Sequence, residues 1–215
     1  MRYWAECRAF FGQFREQYHT TGSILPSSRA LGRALTRPMR LAKPPRRILE
    51  VGPGTGAVTA EIVRNLRPGD WLDIVEINAR FVDVIERRFA EEPDFHRKRG
   101  QAKVIHAPLQ EVPGEAVYDF MISGLPLNNF SMDLVEDIFR SYQRLLKPAG
   151  ILSYFEYLAI RDLKLPFVSD AERQRLQTLS VFLEKKIEAH QLAADNVPFN
   201  IPPAVAPHLR FGPVP

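Results

Sequence analysis

The run Arg46-Arg47-Ile48-Leu49-Glu50-Val51-Gly52-Pro53-Gly54-Thr55-Gly56-Ala57-Val58-Thr59 joins two patterns at a cluster of glycines. Ile48, Leu49 and Val51 make a short apolar stretch with β-branched members, the mark of a buried strand. Gly52, Gly54 and Gly56 permit a sharp turn and close backbone approach, and Ala60, Ile62, Val63 and Leu66 then recur at helical spacing. Strand, glycine turn and helix in this order read as a cofactor-binding turn. Glu50, and Glu76 at the end of the next strand, bear on which cofactor it takes.

Downstream, strand and helix patterns alternate, as in a doubly wound α/β sheet. Trp71–Glu76 reads as the second strand, Lys103–His106 as the third and Val117–Ile122 as the fourth. Phe81, Val82, Ile85 and Phe89 mark one helix, and Leu134, Val135, Ile138, Phe139, Tyr142, Leu145 and Leu146 another. Lys147-Pro148-Ala149-Gly150 turns the latter into a fifth strand, Ile151–Tyr157. Asp170 is expected to cap a helix running to about His190. Val197–Ile201 and His208–Phe211, joined at Pro202-Pro203, are expected to form a terminal hairpin near a sheet edge.

Upstream, residues 2–18 place Tyr3, Trp4, Cys7, Phe10, Phe11, Phe14 and Tyr18 within one helical stripe, edged by Arg8 and Arg15. Such a stripe either lids the domain's own core or lies at a lipid headgroup boundary. After the connector Thr21–Ser28, where Ser27 or Ser28 can cap a helix, Arg29, Arg33, Arg37 and Arg40 share one helical face with Leu31, Ala34 and Leu35 opposite. Pro38, Pro44 and Pro45 argue against further helix. No acid lies between Glu16 and Glu50. Residues 1–49 carry ten Lys/Arg against two acids, and residues 50–215 nineteen against twenty-three, so the net charge of +4 hides a basic N-terminal segment suited to an anionic partner, lipid or nucleic acid. The domain organisation expected is a helical N-terminal region at 1–45 and an α/β domain at 46–215. The single cysteine, Cys7, excludes an internal disulfide and a cysteine-based metal site, which suits the cytoplasm. No segment approaches the roughly 20 apolar residues of a membrane span.

Gly52, Gly54 and Ala57 satisfy the dinucleotide pattern, but Glu50, just before the glycines, would repel a pyrophosphate. S-adenosylmethionine has no phosphate and carries a sulfonium and an ammonium, so an acidic position suits it. Glu76 would accept hydrogen bonds from the ribose hydroxyls.

Glu50-Val51-Gly52-Pro53-Gly54-Thr55-Gly56 followed by Val75-Glu76-Ile77-Asn78 resembles the first two motifs of class I S-adenosylmethionine-dependent methyltransferases. Thr21–Ser28, Ser123-Gly124-Leu125-Pro126-Leu127-Asn128-Asn129-Phe130, Ser153–Tyr157 and Asn200-Ile201-Pro202-Pro203 narrow the resemblance to bacterial phospholipid N-methyltransferases. That resemblance implies a Rossmann-like fold: a mostly parallel seven-stranded sheet with an antiparallel terminal strand, helices on both faces, and an N-terminal helical extension. It also implies S-adenosylmethionine as methyl donor, with S-adenosylhomocysteine as product. The chain would be attached to an anionic membrane surface on the inner face of the cytoplasmic membrane, methylating phosphatidylethanolamine stepwise toward phosphatidylcholine. No metal is expected, and a monomer is favoured although the sequence leaves the oligomeric state open.

Carried onto this sequence, the resemblance puts Gly52, Gly54 and Gly56 along the cofactor, Glu50 near its methionine end and Glu76 with Ile77 at the ribose. His106-Ala107 stands where the family commonly has Asp-Ala beside the adenine, and Ser123 begins the loop after the fourth strand. Tyr18, Asn128 and Asn129 are candidates for holding the amine, and Tyr157, Arg161 and Lys164 for the lipid phosphate. The same loop is similar to the Asn-Leu-Pro-aromatic loop of rRNA adenine dimethyltransferases, with Ser123 for the asparagine and Leu127 for the aromatic. Loss of that ring weakens an RNA reading, because stacking holds a flipped base for chemistry. A non-catalytic module binding lipid or S-adenosylmethionine is the third reading.

Overall fold

The computed structural model describes residues 29–157 and 169–212. The stripe at 2–18, the Ser27 or Ser28 cap, Tyr18, Arg161 and Lys164 lie outside the described residues. The chain order is α1 (Arg29–Leu35), α2 (Arg37–Leu41), β1 (Arg47–Val51), α3 (Ala57–Asn65), β2 (Trp71–Glu76), α4 (Ala79–Glu91), α5 (Pro93–His96), β3 (Ala102–His106), β4 (Tyr118–Ser123), α6 (Met132–Leu145), β5 (Leu146–Ser153), β6 (Glu156–Tyr157), α7 (Asp170–His190), β7 (Gln191–Val197) and β8 (Ala204–Leu209).

One sheet runs β3-β2-β1-β4-β5-β8, parallel up to β5 and antiparallel at β8. β7 pairs with β8 along one edge from Ala204 to Leu209. The other edge of β8 takes β5 at Leu209 and His208, then β6 at Val205 and Ala204. β6 therefore resumes β5 after a break at Tyr154-Phe155, and eight strands fill seven positions. The Lys147–Gly150 turn appears as a register shift, with Tyr118 opposite Leu146 and Phe120 opposite Ile151.

Burial on both faces explains the near-continuous apolar strands. Leu49, Val51 and Met121 face α6 and α7 through Leu134, Phe139, Leu179 and Leu183. Ile48, Leu72 and Ile74 face α3 and α4 through Ile62, Val63, Ile85 and Phe89. Leu31, Leu35 and Met39 are buried in the second cluster, so the basic helices α1 and α2 share the domain's core. At the amino end of β1 a buried ion pair, Arg46 with Asp70, is reinforced by the Arg46 N–H and Nε donating to Asp70 Oδ1 at 2.9 and 3.1 Å.

Three expectations change. α2 continues through Pro38 to Leu41, because Pro38 sits in its first turn, where no backbone N–H is needed. The cap of α7 is Ser169, whose Oγ accepts from the Glu172 N–H at 3.3 Å, and Asp170 is already helical. The terminal hairpin pairs Gln191–Val197 with Ala204–Leu209, while Phe199 and Ile201, expected in a strand, lie in the turn between them. Pro198, Pro202 and Pro203 lack the N–H that pairing requires.

Candidate active site

β1 lies between β2 and β4, where the strand order reverses, and its carboxyl end opens the crevice in which such sheets take ligands. The glycine turn spans that opening. Gly52 has φ +67°, and its N–H donates to Val75 O at 3.0 Å. A Cβ there would lie 2.7 Å from Leu125 Cδ2, the movable end of that side chain, and it is the positive φ that makes glycine the favoured residue in this turn. Gly54 also has positive φ, and a Cβ on it would meet nothing within 4 Å: its outer side is open. Arg88 of α4 steadies the turn, donating from Nη1 to Thr55 O at 3.0 Å while Nε holds Glu92 Oε1 at 2.7 Å.

Glu50 and Glu76 end adjacent strands on the same face of the sheet. Glu50 is 1% exposed, and neither carboxyl oxygen has a hydrogen-bond partner. Burial pushes its pKa up to about 8. The nearby Thr59 hydroxyl, not hydrogen-bonded in this geometry, and the Arg88 guanidinium favour the charged form, while Glu76 opposes it. A buried carboxyl with nothing to bond to is costly unless a ligand completes it. Glu76 is held: Oε1 accepts from the Asn78 N–H at 2.9 Å and Oε2 from the Gly54 N–H at 3.4 Å. Burial raises its pKa, and these amides pull against the rise.

The cleft above is open to solvent. Gly52, Glu76, Ile77 and Ala107 line it, as expected from the sequence. Pro108, Leu109 and Gln110 after β3, Leu125 and Phe130 after β4, and Leu134 and Ile138 of α6 complete it. No Lys or Arg lines it, and its polar side chains are Glu76 and Gln110. Such a lining suits a nucleoside without phosphates, and the uncompleted Glu50 suits a cationic group. The lining fits S-adenosylmethionine, with Glu76 for the ribose and Ile77, Ala107 and Gln110 around the adenine. Of the other expected contacts, Gly54 and Gly56 do not line the cleft. Glu50, next in sequence to the lining Val51 and Gly52, is itself buried outside the lining, from where its charge would serve the ammonium.

The structure separates other expected residues from the cleft. His106 is exposed at the rim, its Nε2 3.1 Å from Ile77 O. Ser123 is fully buried, with Oγ 2.7 Å from the Tyr142 hydroxyl and accepting from the Leu125 N–H at 3.3 Å. It shapes the loop and does not line the cleft. Tyr157 packs edge-on to Phe155 at 5.0 Å on the α1–α4 face, and burial raises its pKa. That face is opposite the one on which α6 walls the cleft. Asn128 and Asn129 form a 3₁₀ turn whose backbone is gripped from α7. Arg175 donates to Asn128 O at 2.7 Å and to Phe130 O at 2.6 Å, and is itself held by Glu172 at 2.8 Å. Neither this clamp nor Arg88 was apparent from the sequence, because both act on carbonyls distant along the chain. The apolar lining left a signal only in the stripe Leu134, Ile138.

A methyltransferase-domain family model matches residues 48–150. The ornithine lipid N-methyltransferase of Singulisphaera acidiphila is 30% identical over 141 residues, covering 66% of this chain and 72% of that protein. The ribosomal RNA small subunit methyltransferase A of Pseudomonas syringae pv. tomato is 39% identical over 61 residues, of which this chain spans only 22% of the relative's length. Among solved structures, the 1,6-didemethyltoxoflavin-N1-methyltransferase of Burkholderia thailandensis, with bound 1,6-didemethyltoxoflavin and S-adenosylhomocysteine, superposes with a TM-score of 0.62 at 17% identity, covering 97% of this chain and 90% of that one. The O-methyltransferase TomG of Streptomyces achromogenes, in complex with S-adenosylmethionine, gives 0.56 at 20% identity, covering 86% and 79%. With the glycine turn, the paired carboxylates and the sheet order in place, the chain belongs to the class I S-adenosylmethionine-dependent methyltransferases.

Proposed function

We propose that the chain methylates the amine of a membrane lipid headgroup, taking phosphatidylethanolamine stepwise through its mono- and dimethyl forms toward phosphatidylcholine. The observation that carries this reading is the likeness to the ornithine lipid N-methyltransferase, which extends over 66% of the chain. Matches to ribosomal RNA methyltransferases stay within 28–46% of it. Ornithine lipid and phosphatidylethanolamine both present an amine on a lipid, and either headgroup suits the chemistry. Leu127, in the place of an adenine-stacking ring, is buried and aliphatic, which favours lipid over a flipped base. No helix among the described residues is long and apolar enough to cross a membrane. The proposed mode is attachment at the cytoplasmic surface.

When bound, S-adenosylmethionine supplies an electrophilic methyl carbon on sulfur. The chain's residues have to bind it, hold a neutral amine in line behind that carbon and exclude water. Glu50 and Glu76 orient the two ends of the methyl donor. Asn128 and Asn129, in the loop that Arg175 holds by its carbonyls, do not line the cleft and remain candidates for the amine only through a substrate that reaches past the lining. Tyr18, Arg161 and Lys164, outside the described residues, are further candidates for the amine and the lipid phosphate.

The test is incubation with methyl-labelled S-adenosylmethionine and vesicles of phosphatidylethanolamine or ornithine lipid, alongside ribosomal RNA. Label in the lipid extract is the expected result. Label in RNA alone would overturn the reading in favour of nucleic-acid methylation, and cofactor binding without transfer to either would leave a non-catalytic binding module.

A further inference from the structure

The turn between β7 and β8 carries two of the three most exposed large apolar side chains among the described residues, Phe199 at 93% and Ile201 at 72%. Between them Asn200 is buried, its N–H donating to Val197 O at 3.1 Å and its Nδ2 to Pro202 O at 2.7 Å. The inward carboxamide pins the turn, and its two neighbours are held outward. β8 starts opposite Tyr157, at the carboxyl end of β6, and β5 and β6 run in the same direction as β1 and β4. The turn therefore lies on the edge of the sheet at which the cofactor cleft opens.

Beside it is a concavity of about 300 Å³, open to solvent, lined by Arg33, Arg37 and Arg40 with Phe199 and Val197. Its single acid, Asp195, is paired with Arg37 at 2.9 Å. Asp195 also sits 3.0 Å from buried His208, whose other ring nitrogen is 2.8 Å from Ser153 Oγ, so this pairing is anchored in the sheet. Arg33 and Arg40 have no acidic partner among the described residues, and Arg40 Nη2 leans on Arg33 O at 2.9 Å. A single exposed Phe needs no explanation. Two apolar side chains held outward beside two uncompensated guanidiniums are the arrangement of an interfacial anchor.

We propose that the 198–203 turn and the arginine face of α1 and α2 form a docking surface for an anionic bilayer. Phe199 and Ile201 enter the headgroup boundary, and Arg33 and Arg40 lie against lipid phosphates. The proposal rests on the lipid-methylation reading and adds which part of the described fold meets the membrane. Bilayer is favoured over RNA because Ile201 offers no ring on which a base could stack, yet gains by leaving water. Docking through this edge turns the cleft toward the headgroups.

The experiment is co-sedimentation of the full chain with vesicles containing phosphatidylglycerol and with neutral phosphatidylcholine vesicles. Phe199→Ser with Ile201→Ser should weaken partition onto the anionic vesicles roughly tenfold or more. Arg33→Gln with Arg40→Gln should weaken it about tenfold at low salt, with the difference shrinking as salt rises. Unchanged thermal unfolding, and unchanged methylation of a detergent-dispersed lipid by the turn variant, would show fold and chemistry intact. If both double variants sediment like the wild type, for instance because residues 2–18 alone hold the chain, the proposal is overturned. Loss of RNA binding with vesicle binding intact would overturn it too. A wild type that docks through this surface but labels no lipid even in detergent counts against the methylation reading alone.

Discussion

Replacing Glu50 by glutamine should stabilise the ligand-free protein while impairing it as an enzyme. In the folded chain burial holds the Glu50 pKa at about 8, against an ordinary 4.5. Between these values the folded state keeps a proton that the unfolded chain releases, so stability falls as pH rises through the window and levels off above about 8. The slope approaches about 1.4 kcal/mol per pH unit. The amide has no proton to lose. Its stability advantage should therefore widen by about 3 kcal/mol between roughly pH 5.5 and pH 8, which at about 2–4 °C per kcal/mol for a chain of this size is roughly 6–12 °C in Tm. Thermal melts of both proteins across that range, without ligand, read the difference directly. The comparison between pH values cancels any constant effect of the amide on packing. A difference in Tm that does not change with pH would refute the reasoning. If Glu50 meets the S-adenosylmethionine ammonium as a carboxylate, as proposed, binding displaces its proton, and the wild-type affinity should fall by up to about tenfold per pH unit below 8. The variant should bind it about 10- to 100-fold more weakly with that dependence gone.

Gly52→Ala forces a Cβ to 2.7 Å from Leu125 at φ +67°, and should cost about 1–3 kcal/mol of stability together with most cofactor affinity, read by melts and titration calorimetry. Arg175→Ala frees the Asn128 and Phe130 carbonyls. It should lower kcat roughly tenfold or more, a larger loss than any weakening of the Kd for S-adenosylhomocysteine caused by loosening Phe130 at the cleft, with partial rescue by Arg175→Lys. Asp70→Asn strands buried Arg46 and should destabilise the fold by about 3–5 kcal/mol in urea unfolding, far from the cleft.

The parts of this fold that announce themselves in the sequence are those buried on both faces. Ile48, Leu49 and Val51, or Leu72, Ile74 and Val75, read as strands because nothing polar interrupts them. β7 escaped notice for the opposite reason: Gln191–Val197 is largely exposed along its length, so no apolar alternation marks it, and the apolar Phe199 and Ile201 beside it drew the expected strand six residues too far. At the site, glycines and carboxylates at strand ends are local in sequence, and Gly52, Glu76, Ile77 and Ala107 are brought together as expected. Ser123 has the sequence look of a loop ligand, but its hydroxyl is committed to Tyr142, nineteen positions away. Arg88 and Arg175 work through backbone carbonyls 32 to 47 residues distant, a relation that no local motif encodes.

The most direct measurement of the central claim is fragmentation mass spectrometry of lipids recovered after incubation with S-adenosylmethionine. The account predicts one, two and then three added methyl groups, each on the headgroup nitrogen, formed by the wild type and, at limiting S-adenosylmethionine, about 10- to 100-fold more slowly by Glu50→Gln. Lipids that come back unmodified, or methyl groups found elsewhere than on that nitrogen, would contradict it.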